Sequence, residues 1–195
     1  MSNEDTVTTA SLLRRAELFL EDKEWDIASN YCQKVLDIEP ENARAYLLLL
    51  LSSLKVSDKD ELINSAPPFA DSSFFQKALR FSDPEYKKQL EQCIVDNILL
   101  KVRKITENAK RAEDFRTAME LLTKIADLTD VGELMDNLST KAHALQKQED
   151  YYKGIRMMNS GDIGEINQAI KIFEKYDFED AAKNIEKCKS LIPQL

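Results

Sequence analysis

The chain is short of backbone punctuation, with four glycines and five prolines in 195 residues. A sheet protein needs a turn about every 8–12 residues, built largely from those two residue types. Their scarcity excludes a sandwich or barrel and leaves an all-α fold. Cysteine is scarce as well. Cys32, Cys93 and Cys188 are far apart and form no CxxC pair. That speaks against a disulfide framework or a zinc ribbon and for small buried hydrophobes in a reducing compartment. The single histidine, His143, stands in the polar stretch Lys141-Ala142-His143-Ala144 and reads as solvated surface. No GxGxxG, Walker A, HExxH or GxSxG pattern occurs. The longest apolar run, Ala45–Leu51, is too short to span a bilayer. The first ten residues, MSNEDTVTTA, lack the basic region and apolar core of a secretion signal. The expectation is a non-enzymatic, cytoplasmic protein with no catalytic residue, no cofactor and no metal.

What is present is charge and helical periodicity. Asp and Glu outnumber Lys and Arg by 35 to 27, a net charge of −8. An acidic chain repels nucleic-acid phosphates and anionic membranes, so neither is expected as a partner. Residues 17–41 concentrate the excess. There Glu17, Glu21, Asp22, Glu24, Asp26, Asp37, Glu39 and Glu41 face only Lys23 and Lys34. The segment suits a basic partner, or simply solvated helix faces. Residues 101–111 carry Lys101, Arg103, Lys104, Lys110 and Arg111 against Glu107, without interleaved aromatics. They read as a charged outer face or as a counterpart to the acidic half.

Apolar residues recur at helical spacing along most of the chain. Leu12, Leu13, Ala16, Phe19 and Leu20 make a first helix, and Asp22-Lys23-Glu24 a turn. Trp25, Ala28, Tyr31, Cys32, Val35 and Leu36 make a second, ended by Pro40. Asn42 caps a third, apolar all round, which predicts neighbours on several sides. Ser57-x-x-Asp60 predicts a short capped helix to about Asn64, and Pro67-Pro68 an extended break. Asp71 or Ser72 caps a short helix with Phe74, Phe75, Ala78 and Leu79. Ser82 caps a long one, with Pro84 at its first position, running to about Ala109. Further helices start near Asp114 and Thr129. Ser160-Gly161-Asp162 breaks the chain before two last stripes, Ile166–Phe173 and Phe178–Ile192. Nine or ten helices result.

Leu12, Ala16, Phe19, Ala28 and Pro40 are spaced by 4, 3, 9 and 12 residues, and Tyr46 and Leu50 follow Leu12 and Ala16 by 34. This matches the tetratricopeptide period and its alternation of large and small positions. Cys32 and Val35 depart from the pattern, which has an aromatic and an alanine there. The stretches Glu21–Asp26, Val35–Tyr46, Pro68-Phe69 and Phe75–Phe81 resemble tetratricopeptide-repeat proteins of Firmicutes in which the repeat often follows an N-terminal zinc ribbon. The ribbon is absent here. The resemblance covers residues 1–82 well and 112–192 loosely. It implies a bacterial origin and a protein–protein interaction role, and no chemistry.

The resemblance also implies a concave surface lined by the first helix of each hairpin. Its positions fall on Leu13, Glu17, Leu20, Arg44, Leu47, Leu51 and Leu54. A leucine-rich lining either grips an apolar helix or strand of a partner, or is covered by later helices of the same chain. The second course predicts a buried Leu47, with Leu13 left partly exposed near the free edge. The chain divides into a flexible tail (1–8), a tetratricopeptide-like region (9–82), and a long helix with a helical-repeat-like remainder (83–195). The leading function is an adaptor or scaffold that binds a helix, peptide or basic surface. The alternative is an acidic inhibitor or immunity-type protein that occludes a basic partner.

Overall fold

A computed structural model of the chain describes residues 8–65 and 68–194. Nine α-helices and three short 3-10 turns make up the described residues, with no strand among them. The fold is all-α. No helix among these residues is long and apolar enough to cross a membrane. The tail expected over 1–8 lies outside the described residues except for Thr8. Thr8 is the N-cap of the first helix, its hydroxyl accepting from the Ser11 N–H at 3.2 Å. Of the expected Pro67-Pro68 break, Pro67 also lies outside them.

The helices fall into two units. The first, Met1–Arg103 with Lys124–Asp130, holds α1 (Thr9–Glu21), α2 (Trp25–Ile38), α3 (Ala43–Leu54), α4 (Ser73–Phe81) and most of α5 (Pro84–Glu107). Helices α1, α2, α3 and α4 pack in sequence, and α3 also touches α1. Ala16 and Ala28 are fully buried in their shared core. Small side chains there let neighbouring helices approach closely.

Helices α1 and α3 stop in the same way. Lys23 and Lys55 take left-handed conformations, with φ of 63° and 56°. The N–H groups of Lys23 and Glu24 turn back to Leu20 and Phe19, and those of Lys55 and Val56 to Ser52 and Leu51. This is the paired closure that satisfies the last carbonyls of a helix, here without glycine. Helix α3 starts on Asn42, whose Oδ1 accepts from the Ala45 N–H at 3.0 Å. From Leu47 to Leu51 every side chain is buried, as expected of a helix with no polar face. Ser52 continues the buried run, its hydroxyl donating to the Trp25 carbonyl at 2.5 Å.

Two caps fall one residue later than expected. Asp58, not Ser57, accepts from the N–H groups of Asp60 and Glu61, and the segment it opens, Asp60–Asn64, is a 3-10 turn. Asp83, not Ser82, accepts from the Tyr86 N–H at the start of α5, at 2.8 Å. Ser82 instead donates to the Ala78 carbonyl and finishes α4. In both places an adjacent carboxylate, a stronger acceptor than a hydroxyl, takes the cap. Ser72 caps α4, as its position suggests.

Between α3 and α4 the chain makes 3-10 turns at Asp60–Asn64 and Phe69–Asp71. Asn97 on α5 holds this region. Buried, its Nδ2 faces the carbonyl oxygens of Leu62, Ile63 and Ser65 at 3.0, 2.9 and 3.1 Å. Ile125, in the Lys124–Asp130 strip of this unit, is fully buried.

The second unit, Lys104–Thr123 with Val131–Leu195, contains α6 (Ala112–Thr123), α7 (Gly132–Met158), α8 (Ile163–Lys175) and α9 (Ala181–Leu191), each packing on the next. Asp114 supports the start of α6, accepting from the N–H groups of Lys110 and Arg111. Glu149 of α7 accepts from Ala112 N–H. Helix α7 starts at Gly132, three residues after Thr129, and runs unbroken to Met158. Gly161, at φ 79°, makes the turn, and Asp162 caps α8 through the Glu165 N–H at 2.8 Å. The core is aromatic. Tyr151, Phe173 and Phe178 lie with ring centroids 5.1 to 6.4 Å apart. Asp150 accepts from the Tyr176 hydroxyl and Gln146, and Asp180 from the Tyr151 hydroxyl.

Candidate functional site

The first unit carries a groove of about 1490 Å³. Its floor is α3, through Leu47, Leu48 and Leu51. One wall combines Arg14, Glu17 and Glu21 of α1 with the turn Glu39-Pro40-Glu41-Asn42. The other combines Ser57, Asp58 and Lys59 with Phe81, Tyr86 and Gln89. Helical phase explains the first wall. Arg14, Glu17 and Glu21 lie three and four residues apart and so share one face of α1.

The walls are fastened by specific contacts. Arg44 at the start of α3 forms an ion pair with Glu17 of α1, and Arg14 reaches the same carboxylate at 3.5 Å. Tyr46 donates its hydroxyl to the Pro40 carbonyl at 3.0 Å and stacks on Phe81 at 5.8 Å. One side chain thus ties the α2–α3 turn to the end of α4. Glu39 accepts from the Thr9 hydroxyl at 2.6 Å and from Asn42 at 2.7 Å. The Thr9 bond first, and the Asn42 bond second, hold its carboxyl below the usual range, so it stays ionised into mild acid. Lys59 donates to Gln89 at 3.4 Å. Burial pushes the Tyr86 phenol up to about 12, so it stays a neutral hydroxyl at physiological pH.

The charges are uneven. The lining carries seven carboxylates (Glu17, Glu21, Glu39, Glu41, Asp58, Asp83 and Glu85) and three cations (Arg14, Arg44 and Lys59). All three cations are engaged with the chain's own side chains. Glu41 and Glu85 are exposed in the lining.

The residues expected to line a binding surface separate into three groups. Glu17, Arg44, Leu47 and Leu51 come together in this groove. Leu13 and Leu20 do not line it. They are buried in the core, at 8 % and 0 % exposure, and so is Leu13 despite the partial exposure expected of it. Leu54 is half-buried against the same core, outside the lining. The leucines of the floor are themselves nearly covered, at 4 % for Leu47 and 2 % for Leu51. The reason is that α4 and the first turns of α5 add Phe75, Ala78, Leu90 and Cys93 to the core around α3. What remains open is therefore a charged groove over a sealed apolar floor, not a leucine surface.

The residues of the second wall carried no local signal in the sequence. Phe81, Asp83, Glu85, Tyr86 and Gln89 reach the groove only through the path of the chain after α3. The acidic run over 17–41 was the useful clue, since Glu17, Glu21, Glu39 and Glu41 all line the groove.

His143 is exposed. Burial raises all three thiols, Cys32 to about 12, which leaves them un-ionised and unreactive at neutral pH. Among the described residues no group of three His, Cys, Asp or Glu is placed to hold a metal ion. No protein-family model matches the chain, and no curated protein matches it.

Proposed function

We propose that the chain is a non-catalytic protein-interaction module, an adaptor or scaffold, which holds a segment of another protein in the groove between α1, α3 and α5. The carrying observation is the groove's size and make-up. At about 1490 Å³ it exceeds the roughly 300–1,000 Å³ typical of small-molecule sites. Its lining is rich in charge, and the leucines of its floor are nearly covered. That is the character of a rim for a peptide segment, not of an enclosed ligand pocket.

A helical-repeat arrangement of tetratricopeptide type is part of this proposal. What supports it is that the α1–α2 pair buries Ala16 and Ala28, ends at Ile38 ahead of Pro40, and is followed by α3 capped by Asn42. Buried free thiols and the overall negative charge suit a cytoplasmic, bacterial setting of the kind the resembling proteins occupy. The second reading is an inhibitor that occludes a basic partner, and the carboxylates on both walls favour it.

Site-specific photocrosslinking tests the proposal. A benzoylphenylalanine at Gln89, in the groove wall, is compared with one at Lys153, exposed on α7. The expected result is a discrete crosslinked partner from Gln89 alone. No adduct from Gln89, or the same adducts from both positions, overturns the role of the groove.

A further inference from the structure

Resting on the reading of the groove as a protein-binding site, we infer that its occupant is a basic segment, a stretch of lysines and arginines interrupted by a few apolar residues. Four of the chain's eight excess negative charges reside in this one lining. The three cations leave the other carboxylates unmatched, because Arg44 is held by Glu17, Arg14 by Glu17 and Glu21, and Lys59 turns to Gln89. Glu41 and Glu85 both face solvent in this lining, and among the described residues neither shows an ion pair. A segment lying along the groove thus meets exposed carboxylates from two separate parts of the chain.

The contrast with a leucine groove decides the chemistry of the occupant. Leu47, Leu48 and Leu51 are 4 %, 5 % and 2 % exposed, so an apolar helix face would find little leucine to cover. Tyr86 is half-buried and offers the partial apolar contact that the alkyl stems of lysine and arginine use, whereas the Phe81 ring is already taken by Arg80 and Tyr46. Glu39 adds a carboxylate held ionised by Thr9 and Asn42, so the wall keeps its charge into mild acid. Unlike charges across a groove raise the association rate, and salt weakens them.

The test uses fluorescence anisotropy of two labelled amphipathic peptides, one of leucine and lysine and one of leucine and glutamate. The full chain should bind the leucine–lysine peptide and not the leucine–glutamate one, more weakly as salt is raised. The double variant Glu41→Lys, Glu85→Lys should bind at least about tenfold more weakly with an unchanged thermal midpoint. A control variant, Glu133→Lys with Glu174→Lys, makes the same change of net charge on exposed positions outside the groove and should bind like the parent. Equal weakening by both variants would show generic attraction to an acidic protein and overturn the inference. So would equal binding of the two peptides, or no binding of the basic one. If Gln89 still crosslinks a partner in that event, the interaction module stands and only its basic occupant falls. If Gln89 crosslinks nothing, both fall together.

Discussion

The carboxamide of Asn97 donates to the carbonyl of Leu62 across 3.0 Å, joining α5 to a 3-10 turn 35 residues earlier in the chain. The same nitrogen lies within 3.1 Å of the Ile63 and Ser65 carbonyls. A 3-10 turn satisfies its own carbonyls only in part, here Leu62 from the Ser65 N–H, and this buried amide adds a donor to them. Asn97→Leu keeps the volume and removes the donors, so buried carbonyls lose their partner. The expected cost is about 1–3 kcal/mol, read as a lower urea midpoint. A midpoint equal to that of the parent would show the contact to be idle.

Leu13→Glu and Leu47→Glu should both act on folding. Each leucine is at least nine-tenths buried in the first core, so each glutamate would be an unpaired charge without water. About 3 kcal/mol or more is expected for either, enough to see by thermal melting. A Leu13→Glu variant that melts like the parent would contradict the burial found here.

Gly154 faces the tip of Phe173. A Cβ there would stand 3.0 Å from Phe173 Cζ and 3.3 Å from Ile172 Cγ2. Alanine favours a helix over glycine by about 1 kcal/mol. Overpacking a full core costs about 1–3 kcal/mol. Phe173 is 1 % exposed and hemmed by Tyr151 and Phe178, so it has little room to retreat. Gly154→Ala should therefore lower the thermal midpoint, and a raised midpoint would show that the ring yields.

Cys32, Cys93 and Cys188 should not react with an aromatic disulfide reagent in the native protein at neutral pH. All three are buried, and burial raises each thiol, Cys32 to about 12. Denaturant should expose all three together. A thiol titrating rapidly without denaturant would reveal local opening around it.

Asp150 links acidity to stability. Burial raises its carboxyl, but bonds from Tyr176 and Gln146 and the nearby Lys175 ammonium outweigh that and hold it below the ordinary value. A carboxyl depressed in the folded state contributes stability above its unfolded value, lost as pH falls through its folded one. Native stability should thus decline as pH falls through and below the ordinary carboxylate range. Asp150→Asn should be less stable at neutral pH and decline less steeply in acid. Parallel decline of the two proteins would assign the acid sensitivity elsewhere.

Much of the helical layout could be read from local pattern. Asn42 and Ser72 cap where their spacing indicates, and the all-apolar run Ala45–Leu51 is enclosed as a helix without a polar face must be. Local pattern failed where two good acceptors stood side by side. Ser57 and Ser82 lost their caps to Asp58 and Asp83, a competition that spacing does not resolve. It failed again at Leu13, where edge position in a repeat suggested exposure and the surrounding core supplies burial. The groove was half legible. Glu17, Glu21, Glu39 and Glu41 belong to a visible acidic run, whereas Tyr86 and Glu85 reach it only after the turns between α3 and α4.

The first unit is not one continuous stretch of chain. Its last strip, Lys124–Asp130 with the fully buried Ile125, is reached only after α6 of the second unit has been made. During synthesis, residues 8–103 leave the ribosome well before the strip that completes them. A nascent chain halted within α6 would hold the segment up to Arg103 without Lys124–Asp130, so the first unit is complete only once α6 of the second has been made.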